Sequence, residues 1–129
     1  MLLKSLSCLS LLAASSIVLA LPDLPEPVSN NAVASTSIRD KTYVLSVGGI
    51  APGKNTAAQH NKVWLHTVGE FSWNSLPALP SQQRLAGRIG ISAVALNNNF
   101  FIFGGAFMQS DGNVTTASDS YRLDPVTRR

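Results

Sequence analysis

Two arginines, Arg84 and Arg88, stand four residues apart just ahead of an apolar run. A guanidinium is a planar fork of donors that can hold a carboxylate through two parallel hydrogen bonds, so this pair is the best candidate for ligand binding. Asn30, Asn31, Lys54, His60, Gln82, Asp111 and Asn113 lie in neighbouring polar stretches and extend the inventory toward hydroxyl-rich or carboxylate ligands. No metal site is expected. His60 and His66 are six apart, which fits neither a helical ligand pair nor a finger pattern, and the lone Cys8 lies in the first twenty residues. No cofactor is expected either, because the sequence holds no phosphate loop, dinucleotide fingerprint or Ser-His-Asp set, and no catalytic residue can be named. Asn113-Val114-Thr115 is formally an N-glycosylation sequon.

The elements that must position these residues repeat. Ser37 to Gly49 and Ala93 to Gly105 align without a gap at an offset of 56. Each segment reads as a strand, a polar turn, a second strand rich in aromatic or β-branched residues, and a double glycine. Asp40-Lys41 and Asn97-Asn98-Asn99 supply turn residues that tolerate left-handed backbone, so each segment predicts a hairpin. A third strand follows at matching distance, at Val63-Trp64-Leu65 and at Ser120-Tyr121-Arg122-Leu123. The first unit continues into a fourth strand around Phe71 to Asn74, ended by Leu76-Pro77-Ala78-Leu79-Pro80; the second stops after the turn Asp124-Pro125-Val126-Thr127. Regularly spaced strands of this kind suit a radial array, a sandwich or a small barrel, and the repeated hairpin favours the radial array.

A strand ending in Gly-Gly, a later aromatic strand, a tryptophan and a period near 50 residues together resemble kelch repeats. Tyr121-Arg122-Leu123-Asp124-Pro125-Val126-Thr127 is similar to the Tyr-x-x-Asp-Pro-x-Thr turn that precedes the kelch tryptophan, whereas Leu65 to Glu70 departs from it in the first unit. The resemblance covers residues 32–129 and implies an all-β fold, a kelch-type β-propeller with about two blades present of a longer one. The expected organisation is a signal peptide at 1–20, a lead-in at 21–31, blade 1 at 32–80 and an incomplete blade 2 at 81–129. Trp64, Trp73 and Tyr121 are expected between blades. Both outer faces of the pair are expected to be bare, which would leave the isolated chain prone to associate. The long connections, 50–61, 75–89 and 106–117, should share one rim, and binding sites concentrate on such loops.

The resemblance implies a carbohydrate- or protein-binding module. Secreted and periplasmic kelch propellers also include sialic-acid mutarotases, and Leu21-Pro22-Asp23-Leu24-Pro25 followed by a blade, with Arg84 ahead of the next inner strand, is similar to the start of such an enzyme. Galactose-oxidase-like copper ligands cannot be located. A shared fold does not by itself transfer a reaction.

Composition is consistent with export. Lys4, the uncharged run Leu6 to Leu19 and the small-residue end Val18-Leu19-Ala20 form a secretory signal, so the mature chain is expected in the periplasm or outside the cell. That run is too short for a confident membrane span and is followed by Pro22, Pro25 and Pro27. Cys8 stands too early in it for lipidation. The formal charge of +3, from ten basic and seven acidic residues, falls to +2 without Lys4. The basic residues are scattered, so no nucleic-acid partner is expected.

Overall fold

The computed structural model describes residues 20–80 and 86–129. The expected signal peptide, all but Ala20, and Arg84 therefore lie outside the described residues. Within them the chain is all-β: there is no α-helix, only a single 3-10 turn at Thr56–Ala58.

Strands β1 (Ala32–Ile38), β2 (Lys41–Val47), β3 (Val63–Thr67) and β4 (Asn74–Leu76) make an antiparallel sheet in the order of the chain. A second sheet begins with β5 (Ser92–Leu96) and β6 (Asn99–Phe103). The chain then leaves it for a small hairpin, β7 (Ala106–Met108) and β8 (Val114–Thr116), and returns as β9 (Ser120–Leu123) to pair with β6. The first sheet follows chain order throughout, and the second departs from it only by the β7–β8 excursion between β6 and β9.

The hairpin turns form where backbone can turn left-handed. Asn97 and Asn98 have φ of 48° and 62°, and Arg39 has φ of 56°. The first turn thus falls on Arg39-Asp40, one residue earlier than Asp40-Lys41. The repeat stays in register at the glycines and slips at the turns, because β1 and β2 are seven residues long and β5 and β6 five. The fourth strand also differs from expectation: β4 starts at Asn74, and Phe71 is fully exposed in the preceding bend.

The sheets pack face to face. Tyr43, Leu45, Val47, Val63 and Leu65 from the first meet Phe100 and Ile102 from the second, with Ala93, Ala95, Tyr121 and Leu123 alongside. Counting back from the double glycines, Leu45 and Val47 correspond to Phe101 and Phe103, which point out of the far side of the second sheet. The face that the first sheet buries against the second is therefore the face that the second turns outward. Val94, Leu96 and Phe103 there are 49%, 58% and 44% exposed.

The outer face of the first sheet is not bare over β2 and β3. Val44, Ser46, Trp64 and His66 are all buried there. The lead-in lies along this side as a strap: the Trp73 indole N–H donates to Pro22 O at 2.9 Å, and Asn31 Nδ2 donates to Ser46 Oγ at 2.9 Å. Trp73 also stacks on His66, with ring centroids 5.3 Å apart. Trp73 thus packs against the strap, and Trp64 lies on the same outer face beside His60 and Lys62, neither of them between the two sheets, while Tyr121 does lie at the inter-sheet core.

Candidate functional site

In an antiparallel meander the β2–β3 and β4–β5 connections leave the same edge, and the β6–β9 connection leaves the equivalent edge of the second sheet. The three longest connections therefore build one rim, and the tight turns lie opposite. The double glycines open this rim. Gly48 and Gly49 have φ of 62° and 108°, and a Cβ on Gly87 would lie 2.1 Å from the backbone of Gln59 and of His60. Only glycine lets the incoming segment cross so closely. At that crossing Gly49 N–H donates to Arg88 O at 2.7 Å, Arg88 N–H to His60 O at 3.3 Å and His60 N–H to Gly49 O at 3.0 Å. The ring of backbone bonds ties the β2–β3 loop to the segment entering the second sheet.

Arg88 closes the crossing from within. Its side chain is only 1% exposed as a residue, and Nη1 and Nη2 donate to Asp119 Oδ1 and Oδ2 at 2.6 and 2.9 Å. Nη2 also donates to Pro80 O at 2.8 Å, and Tyr121 Oη donates to the same carboxylate. Burial opposes the charge on Arg88, but hydrogen bonds to Asp119 and Tyr121 outweigh it and raise the guanidinium above its ordinary value. The Arg88 hydrogen bonds hold Asp119 below the usual carboxylate range, and burial pushes the Tyr121 hydroxyl up. All three groups are thereby fixed in their ordinary charge states at neutral pH. This is a clamp, with no proton poised for transfer.

The first sheet carries a counterpart with reversed sign. Gly48 N–H donates to Lys62 O and Gly104 N–H to Asp119 O, so Lys62 and Asp119 occupy equivalent positions just before the third strand. Lys62 pairs with Glu26 of the strap, as Asp119 pairs with Arg88 of the segment entering the second sheet. His60 Nε2 lies 3.6 Å from the same Glu26 carboxylate and its ring meets Trp64 edge-on. Burial lowers the His60 pKa below 6.5 despite the attraction of Glu26.

The rim residues expected from sequence do not form a single constellation. Arg88, expected as an exposed ligand-binding fork, is internal, and its fork is already filled by Asp119. His60 is buried beside it in the crossing. Asn31 is bound to Ser46, and Asn30 adopts φ of 56° and receives Gly90 N–H on its carbonyl. Asp111 and Asn113 are exposed and bonded to each other at the tip of the β7–β8 hairpin. Lys54 is exposed beside an open apolar dish of about 500 Å³ formed with Pro27, Val28, Ile50 and Pro52. Gln82 and Arg84 lie outside the described residues. Among the described residues no group of three His, Cys, Asp or Glu side chains is placed to hold a metal.

Four participants were not anticipated from the sequence: Asp119, Glu26, Lys62 and Gln59. Gln59 pairs like a strand with Met108, donating to its carbonyl at 2.8 Å and accepting from its N–H at 2.9 Å, and so docks the β7–β8 hairpin. Asp119 carried a signal, since it stands two residues before Tyr121 and hence on the same side of a strand. Its partner could not be read from that spacing.

A solved structure described as that of YjhT matches 84% of this chain with a TM-score of 0.56 and 20% sequence identity. The present chain spans 28% of the YjhT chain. At that identity the likeness concerns the fold alone, an antiparallel all-β architecture compatible with a kelch-type propeller. No protein-family model and no curated protein matches the sequence. No described helix is long and apolar enough to cross a membrane.

Proposed function

We propose that this chain supplies two consecutive blades of an exported kelch-type propeller, and that its rim binds a carbohydrate or protein ligand. The observation that carries the reading is the open apolar dish of Pro27, Val28, Ile50 and Pro52 on the long-loop rim, with Lys54 exposed beside it. Apolar surface beside a cation suits a sugar acid or a peptide carboxylate, which presents one face to each. Arg84, outside the described residues, enters this proposal from the sequence alone; Arg88 contributes indirectly, by holding the segment that enters the second sheet. The far face of the second sheet, with Val94, Leu96, Phe101 and Phe103, would receive a further sheet as the corresponding face of the first receives the second.

Export would follow from the leader at residues 1–20. Cleavage after Ala20 keeps Pro22, the strap's anchor for Trp73, in the mature chain. The reading is tested on the complete protein with two probes, N-acetylneuraminate and a neutral oligosaccharide panel, by calorimetry and by NMR of anomer exchange. Binding that weakens roughly tenfold or more in Lys54→Ala or Arg84→Ala, with the thermal midpoint nearly unchanged, is expected. Faster anomer exchange of N-acetylneuraminate would turn the binding module into a mutarotase. Full affinity in both variants would remove the rim as the site.

A further inference from the structure

Asn113-Val114-Thr115 is the one Asn-x-Ser/Thr sequon in the 129 residues, and nothing in the binding reading uses it. The structure puts it where a glycosyl transferase can reach. Asn113 is exposed at the end of the turn that joins β7 to β8, and Val114 after it is 60% exposed. Among the described residues the Asn113 carboxamide is held by Asp111, whose Oδ2 accepts from Nδ2 at 2.8 Å in an exposed position. Thr115 Oγ1 accepts from Gln109 Nε2 at 2.9 Å, also at the surface.

The hairpin around the sequon is the least anchored sheet among the described residues. Its ladder has three residue pairs, Ala106 with Thr116, Phe107 with Thr115 and Met108 with Val114, and its moorings are the Ile89–Ala106 bridge and the Gln59–Met108 pair. Two-stranded ribbons are marginal in isolation, so residues 109–115 can open without disturbing either large sheet. That matters because a sequon must fit a transferase cleft as a locally extended segment. A glycan at this tip would also stand on the rim, clear of the inter-sheet core and of the apolar far face of the second sheet.

We propose that Asn113 is an N-glycan acceptor. The donor is an oligosaccharide carried on a lipid pyrophosphate. The carboxamide nitrogen forms a bond to the anomeric carbon, the bond from that carbon to the pyrophosphate oxygen breaks, the lipid pyrophosphate leaves with the electron pair, and the amide proton passes to a base on the transferase. No oxidation or reduction is involved.

The proposal rests on the export reading, and the experiment separates the two. The full chain is produced in a eukaryotic secretory host in two forms, one with its own N-terminus and one behind the host's signal peptide. Chains recovered from the secretory pathway are compared before and after peptide N-glycosidase, which leaves Asp at a formerly glycosylated Asn113. Both forms should show a mobility shift that the glycosidase abolishes, lost entirely in Asn113→Gln and Thr115→Ala and retained in Thr115→Ser. Modification only behind the host signal would support the acceptor site and overturn export by residues 1–20. Folded chains delivered by the host signal with Asn113 unmodified would overturn the proposal.

Discussion

The two clamps make the same contact in opposite environments. In each sheet a charged residue just before the third strand reaches an opposite charge in the segment that leads into that sheet. Lys62 and Glu26 do so at the surface, with side chains 49% and 29% exposed, whereas Arg88 and Asp119 do so with 2% and 9%. Water screens the first pair, and such pairs contribute about 0–1 kcal/mol. The second is bidentate and dry, so its partners depend on each other; removing one leaves a buried, uncompensated charge. One topological position therefore serves as a loose strap on the first sheet and as a fixed joint at the second.

Breaking the dry clamp should give the largest effect. Asp119→Ala strands Arg88 among Pro80 O and Tyr121 and is expected to cost about 3–5 kcal/mol, read as a lowered denaturation midpoint. Replacing both partners, Arg88→Met with Asp119→Leu, should restore most of that loss; no recovery would show that the pair also specifies the crossing.

The two clamps should separate by pH. Asp119 has a folded pKa below its ordinary 3.8, so its contribution is complete above that value and is lost as pH falls through the lowered folded pKa. His60, beside the exposed clamp, has a folded pKa below 6.5; the unfolded chain then binds the extra proton, so stability declines as pH falls below 6.5. Unfolding followed from pH 7.5 to 3 should show both losses. His60→Gln should remove the upper one and leave the lower.

Opening the exposed clamp with Glu26→Gln should cost no more than about 1 kcal/mol at neutral pH and should matter less in high salt. The smallest effect is expected on the far face of the second sheet. Leu96→Ser and Phe103→Ser should each change stability by only about 0.5 kcal/mol in the isolated chain, because both side chains already face water. Sedimentation of the same variants should nevertheless show less self-association, since they shrink the exposed apolar patch.

Much of the architecture is written in short-range signals. Apolar runs rich in aromatic and β-branched residues mark β2, β3 and β6, the asparagines at 97 and 98 fix a left-handed turn, and the double glycines mark where the rim begins. These depend on residues within a few positions of each other, so the sequence by itself determines the β1–β2 and β5–β6 hairpins, the third strand of each unit and their repetition, but not the β7–β8 hairpin or the start of β4. What Arg88 does is of another kind. Its partner lies 31 residues away, across a loop and a second hairpin, and a guanidinium ahead of a strand looks the same whether it will face solvent or be buried. The strap against Trp73 is decided likewise, by where Pro22 and Glu26 arrive, and the two-residue slip at the hairpin turns follows from different strand lengths. Tertiary packing alone chose which charges became dry and which stayed wet, because desolvation depends on every segment that closes over a group and not on its neighbours in the chain.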